Sequence, residues 1–581
     1  MLIRFNYIMP YIVTLFVTLL TSAAALVPGV PSIDWADRNY ALVKVNHEAT
    51  SYENLVTVSP SVNVPVSWNV WSGDHGDVAY VLLNDKQVYM GDAAVKKAVV
   101  SVSEGGTFDM TVKLCNVDGC STSSAVKVIV ADTDGSHLAP LVYDFLENNK
   151  RFEKHPDKIV AAYFVEWGVY QRQFSVDKVP APNLSHLLYA FVPICGGEGI
   201  NDALKTVPGS FEALQRSCAG RDDFKVTIHD PWAAIQKPQK GVSTWNEPYK
   251  GNFGQLMGLK LANPHLKVLA SIGGWTLSDP FFHMHDATVR QTFIDSVEDF
   301  LLTWKFFDGV DIDWEFPGGK GANPHVGNAE RDRATYTALL QELRNRLDAL
   351  GARTDRYYPL TSAISAGNDK IAVVDYSEAQ KYLDTIFLMT YDFKGAWSNT
   401  DLGHQAALFA PAWRPDEPYC ADRAVESLLD QNVPAGKIAI GVAMYGRGWT
   451  GVTSDDKNPF LGVATGPVAG TWEAGVVDYR QIVHNLTQYN YYYDEVAKGA
   501  YVYNHDNGNL ITYDNPKSVA DKTKYVLDHE LAGVFSWEID ADNGDLLNAI
   551  NKGLGAKQAN YLYDDENTLS LRKHVNEKLE L

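Results

Sequence analysis

Between Asp308 and Gly319 three carboxylates, Asp311, Asp313 and Glu315, occupy alternate positions of an otherwise apolar run. That is the two-residue period of a β-strand, in which alternate side chains share a face. Val310, Ile312 and Trp314 then pack against a covering element while the three acids point together the other way. Carboxyls about 7 Å apart in steps along a low-dielectric face cannot all ionise at low cost, so the cluster is expected to hold at least one shared proton near neutral pH. Glu315, last in line before Pro317-Gly318-Gly319 ends the strand, is the natural proton donor. A solvated acidic face would not need the flanking Trp314 and Phe316. A divalent metal would want further ligands that no nearby His, Asn or Asp supplies. Proton chemistry without a metal or other cofactor is the better reading.

Such a cluster needs a scaffold, and from residue 158 onward apolar strands alternate with helical stretches, the grammar of parallel β/α units. Eight candidate strands are Ile159 to Glu166, Leu187 to Pro193, Lys267 to Gly273, Gly309 to Glu315, Pro359 to Ser365, Thr385 to Asp392, Ile438 to Tyr445 and Gly533 to Ile539. Eight units predict a (β/α)8 TIM barrel over 158–445 and 517–557, with its chemistry at the C-terminal strand ends. Polar and aromatic residues gather there: Glu166-Trp167, Gly273-Gly-Trp275, Asp313-Trp-Glu315, Met389-Thr-Tyr-Asp392, Met444-Tyr445 and Trp537-Glu538. The stretch between the last two strands far exceeds a helical return, so an α+β insertion is expected over 446–516, forming one wall of a groove. The segment from Cys195 to Leu266, carrying Trp232 and Trp245, is expected to form the other.

Upstream, short β segments separated by turn signals predict an all-β sandwich of fibronectin-III or immunoglobulin type over 26–132. In Val62–Trp71 the buried face is Val62, Val64, Val66, Trp68 and Val70. Trp71 falls on the polar face; with Trp35 it is expected either to stack on sugar rings or to close an interdomain contact. Residues 133–157, polar and interrupted by Pro140 and Pro156, read as a hinge. Residues 1–25 carry Arg4, an apolar run and small residues up to Ala25, the pattern of a signal peptide. The chain is thus expected in the secretory pathway, where Cys115 with Cys120, across a hairpin turn, and Cys195 with Cys218 can pair, leaving Cys420 over. Asn183 and Asn485 head glycosylation sequons. The net charge of −21, without basic clusters, argues against nucleic-acid and anionic-membrane partners, and 14 Trp with 30 Tyr suit a partner with flat apolar faces such as sugars.

The residues carry a family likeness. Ser271-Ile-Gly-Gly274, Asp308-Gly-Val-Asp-Ile-Asp-Trp-Glu315, Met389-Thr-Tyr-Asp392 and Trp537 resemble the motif set of glycoside hydrolase family 18. Over nearly its whole length the chain is similar to that family's bacterial and baculoviral chitinases built from a sandwich, hinge, barrel and insertion. The resemblance implies a monomer that hydrolyses the β-1,4 links of chitin and N-acetylglucosamine oligomers with retention. In that family the substrate's acetamido oxygen attacks the anomeric carbon, which explains how three acids leaving one strand suffice where a second carboxylate is usually required. Glu315 would protonate the leaving oxygen, Asp313 orient the acetamido group, Asp311 share its proton, and the Tyr391 hydroxyl hold the acetamido group. Trp537 would be the floor under the distorted sugar, surrounded by Met389, Asp392, Tyr445 and Arg447. Trp167, Trp275, Trp397, Trp472 and Glu473 would bind neighbouring sugars. Trp35, Trp71, Trp232 and Trp245 would form a surface track for a chitin chain. The tail, 558–581, ends Lys578-Leu-Glu-Leu581, similar to the retrieval signal Lys-Asp-Glu-Leu with Leu579 in place of the acid, which implies a retrieval receptor in the endoplasmic reticulum as partner and leaves lumenal retention and secretion open. Two other readings share the strand motif: a lectin that holds chitin without cutting it, which would lack the acid, and an endo-acting enzyme on N-glycan cores, which normally lacks the sandwich and insertion.

Overall fold

Alternate burial along eight parallel strands explains the larger part of the molecule. The computed structural model describes residues 26–143, 145–153, 157–454 and 457–559; the signal-peptide and tail readings lie outside them. The strands β1 (Ile159–Val165), β2 (His186–Val192), β3 (Lys267–Gly273), β4 (Gly309–Asp313), β5 (Leu360–Ser365), β6 (Thr385–Met389), β7 (Ile438–Ala443) and β8 (Gly533–Trp537) pair in chain order, and β8 closes the barrel on β1. One set of side chains, including Tyr163, Leu188, Leu269, Phe387 and Phe535, fills the interior. The alternate set, including Phe164, Leu187, Val268, Val310, Ile312 and Trp314, meets the covering helices. Both faces are therefore buried, as expected of parallel strands.

The helices start where their sequence says they should. Asn328 caps Ala329–Thr354 by accepting from the Arg331 N–H. Asn515 and Ser518 form a reciprocal capping box at the head of Pro516–Asp528, with Pro516 in the first turn.

Several predicted boundaries move. The fourth strand ends at Asp313, not Glu315, because the Glu315 N–H leaves the ladder and donates to the Ser278 hydroxyl at 2.8 Å. The seventh ends at Ala443. Tyr445 already belongs to the inserted sheet, whose order is Gly466–Pro467, Tyr445–Thr450, Asn509–Tyr513, Gly499–Asn504, Asn490–Asp494, with Val476–Asp478 also on Tyr445–Thr450. Residues 39–60, placed with the sandwich in the sequence, cluster with the barrel unit, although Asn39–Ala41 pairs with the sandwich strand Val126–Ala131. The reason is local: the Tyr249 hydroxyl donates to the Val43 carbonyl at 2.8 Å, and the Trp304 indole N–H donates to the Tyr52 hydroxyl at 3.1 Å. The expected hinge is fastened to the barrel as well, with the Thr133 hydroxyl donating to the Thr303 carbonyl at 2.6 Å and the Leu141 N–H to the Gly258 carbonyl at 2.8 Å.

The other compact unit spans residues up to Arg38, Ser61–Val102 and Thr107–Ile129. One sheet orders Ser32–Ile33, Val62–Asn69, Lys97–Val102; the second contains Val126–Ala131, Gly106–Asn116, Val78–Leu83 and Lys86–Asp92 in that order, with Gly119–Thr122 on Gly106–Asn116. Val62, Val64, Val66, Trp68 and Val70 are buried, as their period requires, and Trp71 lies past the strand end. Cys115 and Cys120 sit opposite each other in the hairpin and are bonded; Cys195 and Cys218 are also bonded, and Cys420 is free and buried. The Asn183 sequon is corrected: its side chain is buried, donating to the Lys150 carbonyl and accepting from the Phe152 N–H, so the folded protein offers no acceptor there.

Candidate active site

The parallel register explains why Asp311 is comfortable at 0% exposure. β4 runs beside β3 and β5 with Ser271 and Thr361 opposite Asp311. Their hydroxyls donate to its carboxylate at 2.8 and 2.7 Å, and the Tyr163 hydroxyl donates from β1 at 2.8 Å. Burial still raises the Asp311 pKa, although the three hydroxyls oppose the rise.

Asp313 has no such shell. Its Oδ1 is buried without a hydrogen-bond partner, and burial, then the charges of Glu315 and Asp311, push its pKa well above the usual carboxylate range. Glu315 is raised to about 8 by burial and by Asp392. The shared proton expected of the cluster thus has physical grounds in depth and like charge. Gly273 permits the close approach of β3 and β4: its φ is +112°, and a Cβ there would lie 2.1 Å from the Asp313 carbonyl oxygen.

Above the strand ends lies a cleft of about 920 Å³. Of the sequence-predicted residues, Trp167, Trp275, Asp392, Tyr445, Arg447, Trp472, Glu473, Trp537 and Trp232 line it. Asp392 accepts from the Tyr445 hydroxyl at 2.7 Å and from Arg447 Nε and Nη2 at 2.6 and 2.9 Å, which joins the end of β6 to the inserted sheet. Trp537 packs on Tyr163 and stacks on Phe191, ring centroids 5.4 and 5.6 Å away. Tyr391 is buried against Tyr445 and Phe535.

Asp311, Asp313, Glu315, Tyr391, Met389 and Trp397 are not lining residues; Glu315 is linked to the cleft through the charge of Asp392. Met389 packs with the interior cluster, and Trp397 lies under the Arg447 guanidinium at 5.0 Å. Trp245 does not line it either and is 89% exposed; Trp35 and Trp71, in the other compact unit, are 91% and 82% exposed.

Sequence reasoning missed Arg172, which pairs with Glu538 and with Asp540 at 2.9 Å and whose guanidinium lies 5.5 Å from the Trp472 ring centroid. Trp472 in turn donates its indole N–H to Asp478 at 2.9 Å. Burial and Asp540 raise Glu538 to about 8, opposed by Arg172. A lone cation a few residues past a barrel strand was the only available signal. Glu166, buried at the end of β1, accepts from the Tyr189 hydroxyl at 2.9 Å and is raised well above the usual range by burial and Asp230.

A carboxyl with a raised pKa, a buried carboxylate beside it with one oxygen unpaired, and a groove of aromatic rings make an arrangement suited to acid-assisted cleavage of a carbohydrate bond. The profile of the Glycosyl hydrolases family 18 matches residues 159–542, and that of the Chitinase A, N-terminal domain matches 24–156. A chitinase of Autographa californica nuclear polyhedrosis virus is 66% identical over 533 residues, covering 92% of this chain and 97% of that protein. Chitinase A of Pseudoalteromonas piscicida is 45% identical over 579 residues, 93% of this chain and 70% of the relative. Among solved structures, chitinase ChiA74 from Bacillus thuringiensis superposes with a TM-score of 0.62 at 30% identity, covering 70% of each chain.

Proposed function

The chain belongs to the glycosyl hydrolases of family 18, and from this we propose that it is a chitinase that cuts β-1,4 links between N-acetylglucosamine units with retention, using Glu315 as proton donor. The single observation that carries the chemical part is Glu315 itself, a half-buried carboxyl raised to about 8 beside Asp313, whose buried Oδ1 has no hydrogen-bond partner. A group protonated at neutral pH is ready to donate.

In the first step the Glu315 proton passes to the glycosidic oxygen as the C1–O bond breaks, and the substrate's acetamido oxygen closes on C1 to give an oxazolinium ion. Asp313 stabilises the positive charge that grows on the acetamido nitrogen, with Asp311 beneath it as a hydroxyl-anchored partner. Tyr391 holds the acetamido group. In the second step the Glu315 carboxylate takes a proton from water as the water oxygen attacks C1, which reopens the ring with the original configuration. Trp537 supports the sugar that distorts, and the rings of Trp167, Trp275 and Trp472 hold its neighbours by apolar contact. No covalent bond to the protein forms, so the distance between paired carboxylates that governs ordinary retaining enzymes does not apply.

Two measurements test this. Proton NMR during oligomer hydrolysis should detect the β anomer first, and a thiazoline analogue of N-acetylglucosamine should inhibit competitively because it mimics the bound oxazolinium ion. Initial release of the α anomer, or a trapped glycosyl-carboxylate adduct, would refute the mechanism. Release of sugar from a high-mannose glycoprotein with none from chitin would favour the endo-acting alternative.

Trp35 and Trp71, exposed on one compact unit, and Trp232 and Trp245, exposed on the other, belong to the same reading as rings that stack on the sugars of crystalline chitin. Loss of sugar stacking on one indole costs about 1 kcal/mol. Changing Trp71 and Trp245 together to Ala is expected to lower binding and turnover on crystalline chitin by about tenfold or more, leaving short soluble oligomers within about twofold. Equal losses on both substrates would assign these rings to fold support. The apolar run before Ala25 supports a secretory route; among the described residues no helix is long and apolar enough to cross a membrane.

A further inference from the structure

Glu315 lies beyond the end of β4, which stops at Asp313, so the barrel ladder does not hold its backbone. Ser278, which is buried, does. Its hydroxyl oxygen accepts from the Glu315 N–H at 2.8 Å, and its proton goes to the Gly274 carbonyl at 2.9 Å, with the Asp313 carbonyl 3.1 Å away. The Gly274 N–H donates to that same Asp313 carbonyl at 2.8 Å. One hydroxyl therefore ties together the backbone on the two sides of Trp314.

The residues after Ser278 complete the hold. They form a short turn of helix, Asp279–His283, whose Phe281 stacks on Trp314 with ring centroids 5.6 Å apart and whose Phe282 meets the same ring edge-on at 5.3 Å. Asp279 Oδ2 accepts from the Asn323 side-chain amide at 2.9 Å, in the loop that follows Glu315, and from the Ala203 N–H at 2.8 Å. In that loop Gly321 packs so closely that a Cβ would lie 2.1 Å from the Glu315 carbonyl oxygen. The Trp314 ring, the peptide before Glu315 and the loop after it are thus fastened to one six-residue segment, Ser278 to His283.

We propose that Ser278 is a positioning residue for the proton donor: its hydroxyl fixes the peptide that carries Glu315, so that the carboxyl meets the glycosidic oxygen in line. This rests on the reading of Glu315 as the donor. A hydroxyl suits the task because it accepts from one peptide and donates to another at once, which no apolar side chain of that size can do. A small displacement of a reacting group has a large cost in rate.

The test is Ser278→Ala on soluble N-acetylglucosamine oligomers. The expected result is a fall in kcat of about tenfold or more with KM changed by less than about threefold, because binding rings are untouched while the donor drifts. The basic limb of kcat/KM should also move to lower pH, since a carboxyl freed toward solvent loses part of the burial that raises it. The other charged or titratable groups near Glu315 and its loop, Asp313, Tyr391, Asp392 and Lys370 over the Phe316 ring, are unchanged in the variant. Ser278→Thr, which keeps the hydroxyl, should return kcat to within about threefold. If Ser278→Ala does not fold, Ser278→Cys, of similar size but a weak acceptor, should give the same kcat loss. A kcat within about twofold of wild type in the folded Ala or Cys variant would overturn the proposal, as would a loss with no move of the basic limb and no rescue by Thr. Glu315→Gln in the same assay separates the two readings. If that variant is inactive while Ser278→Ala is normal, the donor stands and the clamp falls; if it turns over normally, both fall.

Discussion

Glu315→Gln is expected to lower kcat on chitin oligomers by at least about a hundredfold while the oligomer Kd stays within about threefold. The substitution is mild structurally. With its pKa at about 8, Glu315 is neutral at pH 7, and the neutral amide copies its shape and charge in the same half-buried site. Only the transferable proton is lost. The pH profile gives a second reading of the same group. A donor must be protonated, so wild-type kcat/KM should hold up to about pH 8 and fall about tenfold per unit above it; the residual activity of Glu315→Gln should lack that limb. Stopped assays over pH 5–10, with oligomer binding measured by calorimetry, check both points. Near-normal turnover in the variant would remove Glu315 from its role.

Asp313→Asn should cost nearly as much, about a hundredfold in kcat, for a different reason. Asp313 is 3% exposed, with an oxygen that has no hydrogen-bond partner, and burial, then the charges of Glu315 and Asp311, press its pKa up. Such a group is poorly stabilised at rest and gains most when positive charge appears beside it, as it does on the acetamido nitrogen during ring closure. Asparagine offers a dipole there but no charge. Removing a buried carboxylate that lacks compensation should leave the melting temperature unchanged or higher, so activity and stability should part company. Inhibition by the thiazoline analogue should weaken in parallel with kcat, because both depend on the same charge. A variant that loses stability and activity together, with unchanged thiazoline affinity, would place Asp313 among structural residues instead.

The alternation of Asp311, Asp313 and Glu315 with Val310, Ile312 and Trp314 was enough to place the acids on one face of a buried strand, because side-chain direction in a strand follows position alone. The eight strands, the inserted sheet and the two disulfides were legible for similar reasons: apolar periodicity, an overlong connection and cysteines spaced for local closure. Contacts between distant segments were not legible. Nothing in Ser271, Thr361 or Tyr163 taken singly announces that three hydroxyls converge on Asp311; the parallel register of β3, β4 and β5 decides it. Short β segments read alike whichever core they join: Asn39–Ala41 does pair with Val126–Ala131, whereas bonds from Tyr249, Gln236 and Trp304 tie Val43, Ala49 and Tyr52 to the barrel unit. Asn183 carries a sequon that its burial cancels. Local pattern sets which way a side chain points, whereas what it meets there depends on chain packed against it from 40 to 252 residues away.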